Sequence, residues 1–123
     1  MKELDAQTVA SWVFGLILAW FFVYNGWPKL VPGEAVTTRF QNWGYSQEFA
    51  RIIGIFELAG AIMVLIPRTA FYGALILMVI MVGAIYTHLN TGIGSPAFAI
   101  ILFVLATTQA LITRRNAAFL AKS

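Results

Sequence analysis

Glu57 lies within "RIIGIFELAGAIMVLIPR", residues 51–68, where the sixteen residues between Arg51 and Arg68 are otherwise uncharged and mostly apolar. A carboxyl group in such a setting can carry a proton, pair with a cation or bind an ion. His88 is the only histidine of the chain. Its imidazole can pass a proton near neutral pH or ligate a haem or pigment metal. One histidine rules out a two-histidine haem within one chain. Lys29 can steer an anion or neutralise Glu57. Arg51 can hold an acidic headgroup.

Each of these residues also has a purely structural reading. Glu57 can bond two helices together, and Lys29 can be a flank lysine whose stem lies along apolar surface with its ammonium in water. His88 can be an interfacial ring satisfied by hydrogen bonds, and Arg51 an anchor. Gln109, with Thr107 and Thr108, reads as hydrogen bonding between helices. Trp20 reads as packing at mid-depth.

Composition defines the medium in which this chemistry would sit. The chain has 123 residues, 60% hydrophobic and 11% charged, with mean hydropathy +0.82. Soluble domains carry roughly 25% charged residues. A short chain cannot hide that much apolar surface inside one soluble core. Lipid is therefore its expected solvent, and one domain, residues 1–123, is expected. Cysteine is absent, which excludes disulfides, CxxC redox chemistry and thiolate ligation by this chain. The net charge of +3 comes from basic residues at segment ends and not from a basic run, so nucleic acid is not an expected partner.

Four apolar segments are long enough, at about 17–25 residues, to cross the hydrocarbon core as helices: about 9–27, 49–66, 69–88 and 97–113. None alternates with period two, so the expected fold is all-α, a polytopic membrane protein built as a four-helix transmembrane bundle. The first segment reads as a retained span and not as a signal peptide. Pro28 is expected to end the first helix and Pro67 the second. Ser46 is a candidate N-cap for the second, and Ser95–Pro96 opens the fourth. Val36, Phe40 and Trp43 fall at i, i+4 and i+7. Residues 34–43 are therefore expected to form a short interfacial helix between helices 1 and 2, ended by Gly44.

Four spans place both termini on one side with Lys2, Arg68, Arg114, Arg115 and Lys122, against Lys29, Arg39 and Arg51 on the other. The excess of positive charge assigns the termini to the cytoplasm, in a cell membrane. Glu57 then lies about 9 Å deeper than Arg51 at 1.5 Å rise per residue, in the outer half of the bilayer. Lys29, His88, Tyr24, Asn25, Tyr86 and Asn90 fall near the same outer level. Ala50, Gly54, Glu57 and Ala61 share one helical stripe, with Gly60 beside it, and small residues mark a close helix contact. Glu57 is thus expected to face the bundle. A charge at mid-membrane costs roughly 2.5–3.5 kcal/mol on insertion scales. Glu57 either stays protonated or pairs with Lys29, Arg51 or His88.

The ordered motifs resemble a known family. Gly26-Trp27-Pro28-Lys29-Leu30 closes the first span, Pro32 follows, and Trp43-Gly44 ends the amphipathic stretch. Gly54, Glu57 and Gly60 form G-x-x-E-x-x-G in the second span, Arg68-Thr69 makes the next turn, and His88 closes the third span. In this order the chain resembles the DoxX/DoxD-type membrane proteins and their DoxX-like relatives. The resemblance implies a four-helix membrane bundle associated with redox systems. Some members are subunits of a thiosulfate:quinone oxidoreductase; others are linked to quinone, thiol or oxidative stress.

The resulting expectation is an integral membrane subunit of a quinone-linked redox system. Its outward-facing polar pocket would centre on Glu57. Glu57 and His88 would carry protons, and Lys29, Arg51 and Tyr24 would contact the substrate or quinone. No metal site and no intrinsic cofactor are expected; quinone is the candidate bound molecule. Electrons would come from a partner membrane protein, and a homo-oligomer is the other expected assembly. Two alternatives stand beside this reading: an accessory subunit of a larger respiratory or photosynthetic complex without its own catalysis, and a small proton-coupled transporter.

Overall fold

A computed structural model describes the backbone of residues 6–122 and the side chains of residues 6–114. Lys2 and the side chains of Arg115 and Lys122, counted above in the charge balance, lie outside the described residues. The described residues form five helices: α1 (Ala6–Leu30), α2 (Glu34–Asn42), α3 (Gln47–Met63), α4 (Ala70–Thr91) and α5 (Ala97–Lys122). α1, α4 and the Ala97–Arg114 part of α5 are long and apolar enough to cross a membrane. α3 is shorter, with 17 residues, and carries Glu48, Arg51 and Glu57.

Local chemistry explains most boundaries. The hydroxyl of Ser46 accepts from the Phe49 amide at 3.1 Å and starts α3. The Ser95 hydroxyl accepts from the Ala97 amide at 3.1 Å at the start of α5. Gly44 and Gly92 take left-handed φ values of 94° and 70°, which end α2 and α4 at no Cβ cost.

Two proline expectations need correction. α1 does not stop at Pro28; it continues to Leu30 with the proline inside its last turn. Near a helix end a proline removes only one ladder bond. Here the last turn is also tied to α3, where Arg51 Nε donates to the Leu30 carbonyl at 3.0 Å. α3 ends at Met63, four residues before Pro67. The Thr69 hydroxyl closes the intervening turn by donating to the Met63 carbonyl at 2.9 Å.

α1 packs on α3, α3 on α4, α4 on α5, and α1 on α5. Gly26 lies against Gly54 and Gly15 against Val64, so α1 and α3 run antiparallel. Gln7 and Ser11 of α1 meet Ile112 and Gln109 of α5, while Phe21 meets Phe98. The order is up-down-up-down. The core is filled by Leu18 and Phe22 of α1, Ala61 of α3, Ala74, Leu77 and Met81 of α4, and Ala99, Leu102, Ala106 and Ala110 of α5. Many of these residues are small. Close backbone approach, not burial from water, holds apolar helices together in lipid.

Gln109 does bond across helices, donating from Nε2 to the Ser11 carbonyl at 3.0 Å. Thr107 and Thr108 do not; each hydroxyl returns to its own helix, at the Phe103 and Val104 carbonyls. Trp20 is 69% exposed on α1.

A Cβ added at Gly73 would meet Met63 Cβ at 2.7 Å and the Val64 nitrogen at 2.9 Å, whereas one at Gly83 would meet nothing within 4 Å. Gly73→Ala is therefore expected to destabilise the bundle by about 1–3 kcal/mol, the usual cost of overpacking. Gly83→Ala should be neutral or slightly stabilising. Thermal unfolding in detergent, followed by loss of the monodisperse peak, checks both.

Candidate functional site

The site is built where the C-terminal ends of α1 and α4 and the N-terminal half of α3 meet under α2. Ala50, Gly54, Glu57, Gly60 and Ala61 are the buried residues of α3, as the stripe of small residues implies. Gly54 lets α1 come close: an added Cβ there would sit 2.7 Å from Lys29 Cβ and 2.8 Å from the Gly26 carbonyl oxygen. That approach carries Lys29, in the last turn of α1, onto Glu57. Nζ donates to Oε1 at 2.7 Å, with the Lys29 side chain 11% exposed and that of Glu57 2%. Of the three cations considered as partners for Glu57, the structure selects Lys29.

α2 roofs this pair with aromatic rings. Lys29 Nζ stands 5.8 Å from the centre of the Phe40 ring, within cation–π range. Phe40 is buried and contacts Trp43, Tyr45 and Phe49, with ring centres 5.3, 6.3 and 6.4 Å away. Tyr45 reaches α4, where its hydroxyl and that of Thr87 share a hydrogen bond of 2.8 Å. The Arg39 guanidinium lies 5.9 Å from the Trp43 ring.

His88 joins the site through Trp43, edge to face at 5.2 Å. Its Nδ1 is 2.8 Å from the Ile93 carbonyl oxygen. A carbonyl can only accept, so Nδ1 carries the proton, and in the neutral ring Nε2 keeps the lone pair. No hydrogen bond or ion pair joins His88 to Lys29 or Glu57 among the described residues. What the three share is a cavity of about 740 Å³, lined mainly by apolar side chains and by Lys29, Arg39, Trp43, Glu57, Thr87 and His88.

Arg51 and Tyr24 do not line this cavity. Arg51 is used at the α1 terminus, where its guanidinium satisfies the Leu30 carbonyl. Tyr24 is 71% exposed on α1. Both lie near the expected level, but helix rotation sends them to other faces. Conversely, Arg39, Trp43 and Asn25 line the cavity and were not among the expected site residues. The apolar spacing of Phe40 and Trp43 was a legible signal, since it marked the face of α2 that would be covered. Trp43 Nε1 is buried and, among the described residues, has no hydrogen-bond partner. Such an orphan donor costs roughly 1–3 kcal/mol unless something accepts from it.

The profile of the DoxX-like family matches residues 13–111, most of the chain. The chain belongs to the DoxX-like family. It is a membrane protein, all-helical, with three long apolar helices. The uncharacterized protein YwoB of Bacillus subtilis (strain 168) is 33% identical over 117 residues, covering 84% of this chain and 76% of that protein. No solved structure matches. The family profile covers Lys29, Glu57 and His88 together with the α2 roof.

Removing one partner of a buried pair leaves an uncompensated charge, which typically costs about 3–5 kcal/mol. Lys29→Met and Glu57→Leu are each expected to lower the unfolding temperature of the purified protein markedly. The double variant should recover most of that loss, because two apolar side chains can replace the pair. Melting curves of the two single variants and the double variant test the coupling.

Proposed function

We propose that this DoxX-like protein is the quinone-linked membrane subunit of a redox system. In this reading α3 is a fourth transmembrane helix beside α1, α4 and α5, completing a four-helix transmembrane bundle. α2 lies in the outer interface, and both termini are cytoplasmic. Arg68, at the α3–α4 turn, and Arg114 lie at one end of the up-down bundle; Lys29, Arg39 and Arg51 lie at the other. Positive charge favours the cytoplasmic side, and this split supports the orientation.

The observation that carries the functional reading is the cavity. At about 740 Å³ it falls within the range of roughly 300–1,000 Å³ usual for small-molecule sites. Its wall is apolar, and its polar groups gather at one end beneath α2. That division suits a lipophilic ring with acceptor oxygens. A bound quinone supplies two-electron, two-proton chemistry. The residues of this chain would hold it and handle its protons: Arg39 and Lys29 as donors to ring oxygens, His88 Nε2 as acceptor, and Glu57 as a proton store held in place by Lys29. The electrons would be delivered by a partner redox protein, because no cysteine is present to carry them.

The direct Lys29–Glu57 bond favours one other reading. In it the pair only pins α1 to α3, and the chain is an accessory subunit of a larger respiratory or photosynthetic complex. The two readings differ in quinone binding. The full chain in lipid nanodiscs is expected to bind a ubiquinone or menaquinone analogue saturably, and Glu57→Gln to weaken that binding about tenfold, or ~1.4 kcal/mol. Equal binding by both forms, or none by either, would favour the accessory role.

A further inference from the structure

α3 and α4 are packed tightly at only one end. Gly60 of α3 contacts Leu77 and Gly73 of α4, and Gly73 contacts Met63 and Val64. Toward the outer end the same facing ridges continue, through Phe56 and Ile53 on α3 and through Ile80 and Gly83 on α4. There these residues line the cavity. Gly83 has open space where a side chain would stand. Seven large apolar or aromatic residues both line the cavity and are exposed, and all but Phe98 of α5 stand on α3 or α4: Phe49 and Leu75 at 38%, Ile52 and Phe56 at 49%, Val79 at 71% and Tyr86 at 61%, with Phe98 at 48%. Ile52 and Phe56 are one turn apart, and Val79 and Tyr86 are two turns apart, so each pair forms one edge of a slot. The connection between α3 and α4 closes the slot at the Gly60–Gly73 end, and Phe40, Trp43 and Tyr45 roof it at the other.

We infer that the cavity takes its ligand sideways from the bilayer, through the slot between α3 and α4. This rests on the quinone reading above and adds the entry route. The occupant it selects is a single-tailed amphiphile whose head accepts hydrogen bonds: the ring lies under α2 and the tail leaves between Phe56 and Val79. Charge complementarity agrees. Lys29 and Arg39 face the cavity against one carboxylate, Glu57, so the head end carries an excess positive charge. The slot edges are apolar, so a tail lying there meets acyl chains on one side and helix on the other.

The test uses the full chain in nanodiscs and two probes that share a quinone ring. One has a long isoprenoid tail with a diazirine at its fifth carbon, and the other has a methyl group in place of the tail. After illumination, the long probe is expected to label the α3 and α4 peptides at Ile52, Phe56, Val79 or Tyr86. Labelling confined to α1 or α5 would overturn the slot. Val79→Trp and Ile52→Trp, both at exposed positions, should weaken the long probe at least tenfold and the methyl probe less than twofold. Wild-type affinity of both variants for the long probe would also overturn the slot while leaving the quinone reading intact. If wild type binds neither probe, the quinone reading fails and this inference fails with it. The photolabel is read on wild type, so it decides the slot even if a variant misfolds.

Discussion

The ion pair between Lys29 and Glu57 is possible because two glycines, Gly26 and Gly54, bring the backbones of α1 and α3 together at the same level. A carboxylate in an apolar segment is costly to insert, and the cost falls when a cation bonds it directly. The pair therefore sets several features at once. It fixes how far along α3 the last turn of α1 docks. It keeps that turn helical past Pro28. It also places an ammonium under the Phe40 ring, which in turn seats α2 over that end of the bundle. Replacing either glycine with a larger residue would separate the helices before the charges could meet.

The α2 roof turns this contact into a site. Phe40 faces inward and is buried, while Trp43 bridges to His88 and Tyr45 bridges to Thr87. Three residues of one short segment thus tie the end of α1 to the end of α4. The α3–α4 interface beneath them is left incomplete, because Gly60 and Gly73 allow close contact only at the opposite end. Tight packing at one end and an aromatic bridge at the other produce a cavity without any long loop. The division of the cavity into apolar wall and polar end follows from the same arrangement.

The environment separates the candidate residues by role. Glu57 and Lys29 satisfy one another, so any chemistry there must compete with a strong charge-assisted bond. His88 is oriented by the Ile93 carbonyl, which leaves Nε2 as its acceptor. Trp43 holds a donor that no protein group satisfies. Arg51, placed by residue type among the ligand contacts, is consumed in capping α1, a common fate for an arginine near unpaired helix carbonyls.

The sequence by itself determined the medium, the helical class, the family motifs and the inward face of α3. Composition and a 3.6-residue spacing of small side chains are properties of a single segment and need no neighbour to be read. It also placed Lys29, Glu57 and His88 at one level, because depth follows from counting 1.5 Å per residue. Only the tertiary structure decided which cation meets Glu57, and that Tyr24 and Arg51 turn away while Arg39 and Trp43 turn in. Level along a helix is fixed by residue number, but azimuth relative to a neighbour depends on how two helices rotate to seat glycine against glycine. Pro28 and Pro67 show the same limit: a local helix breaker acts where nothing else holds the chain, and contacts between segments override it.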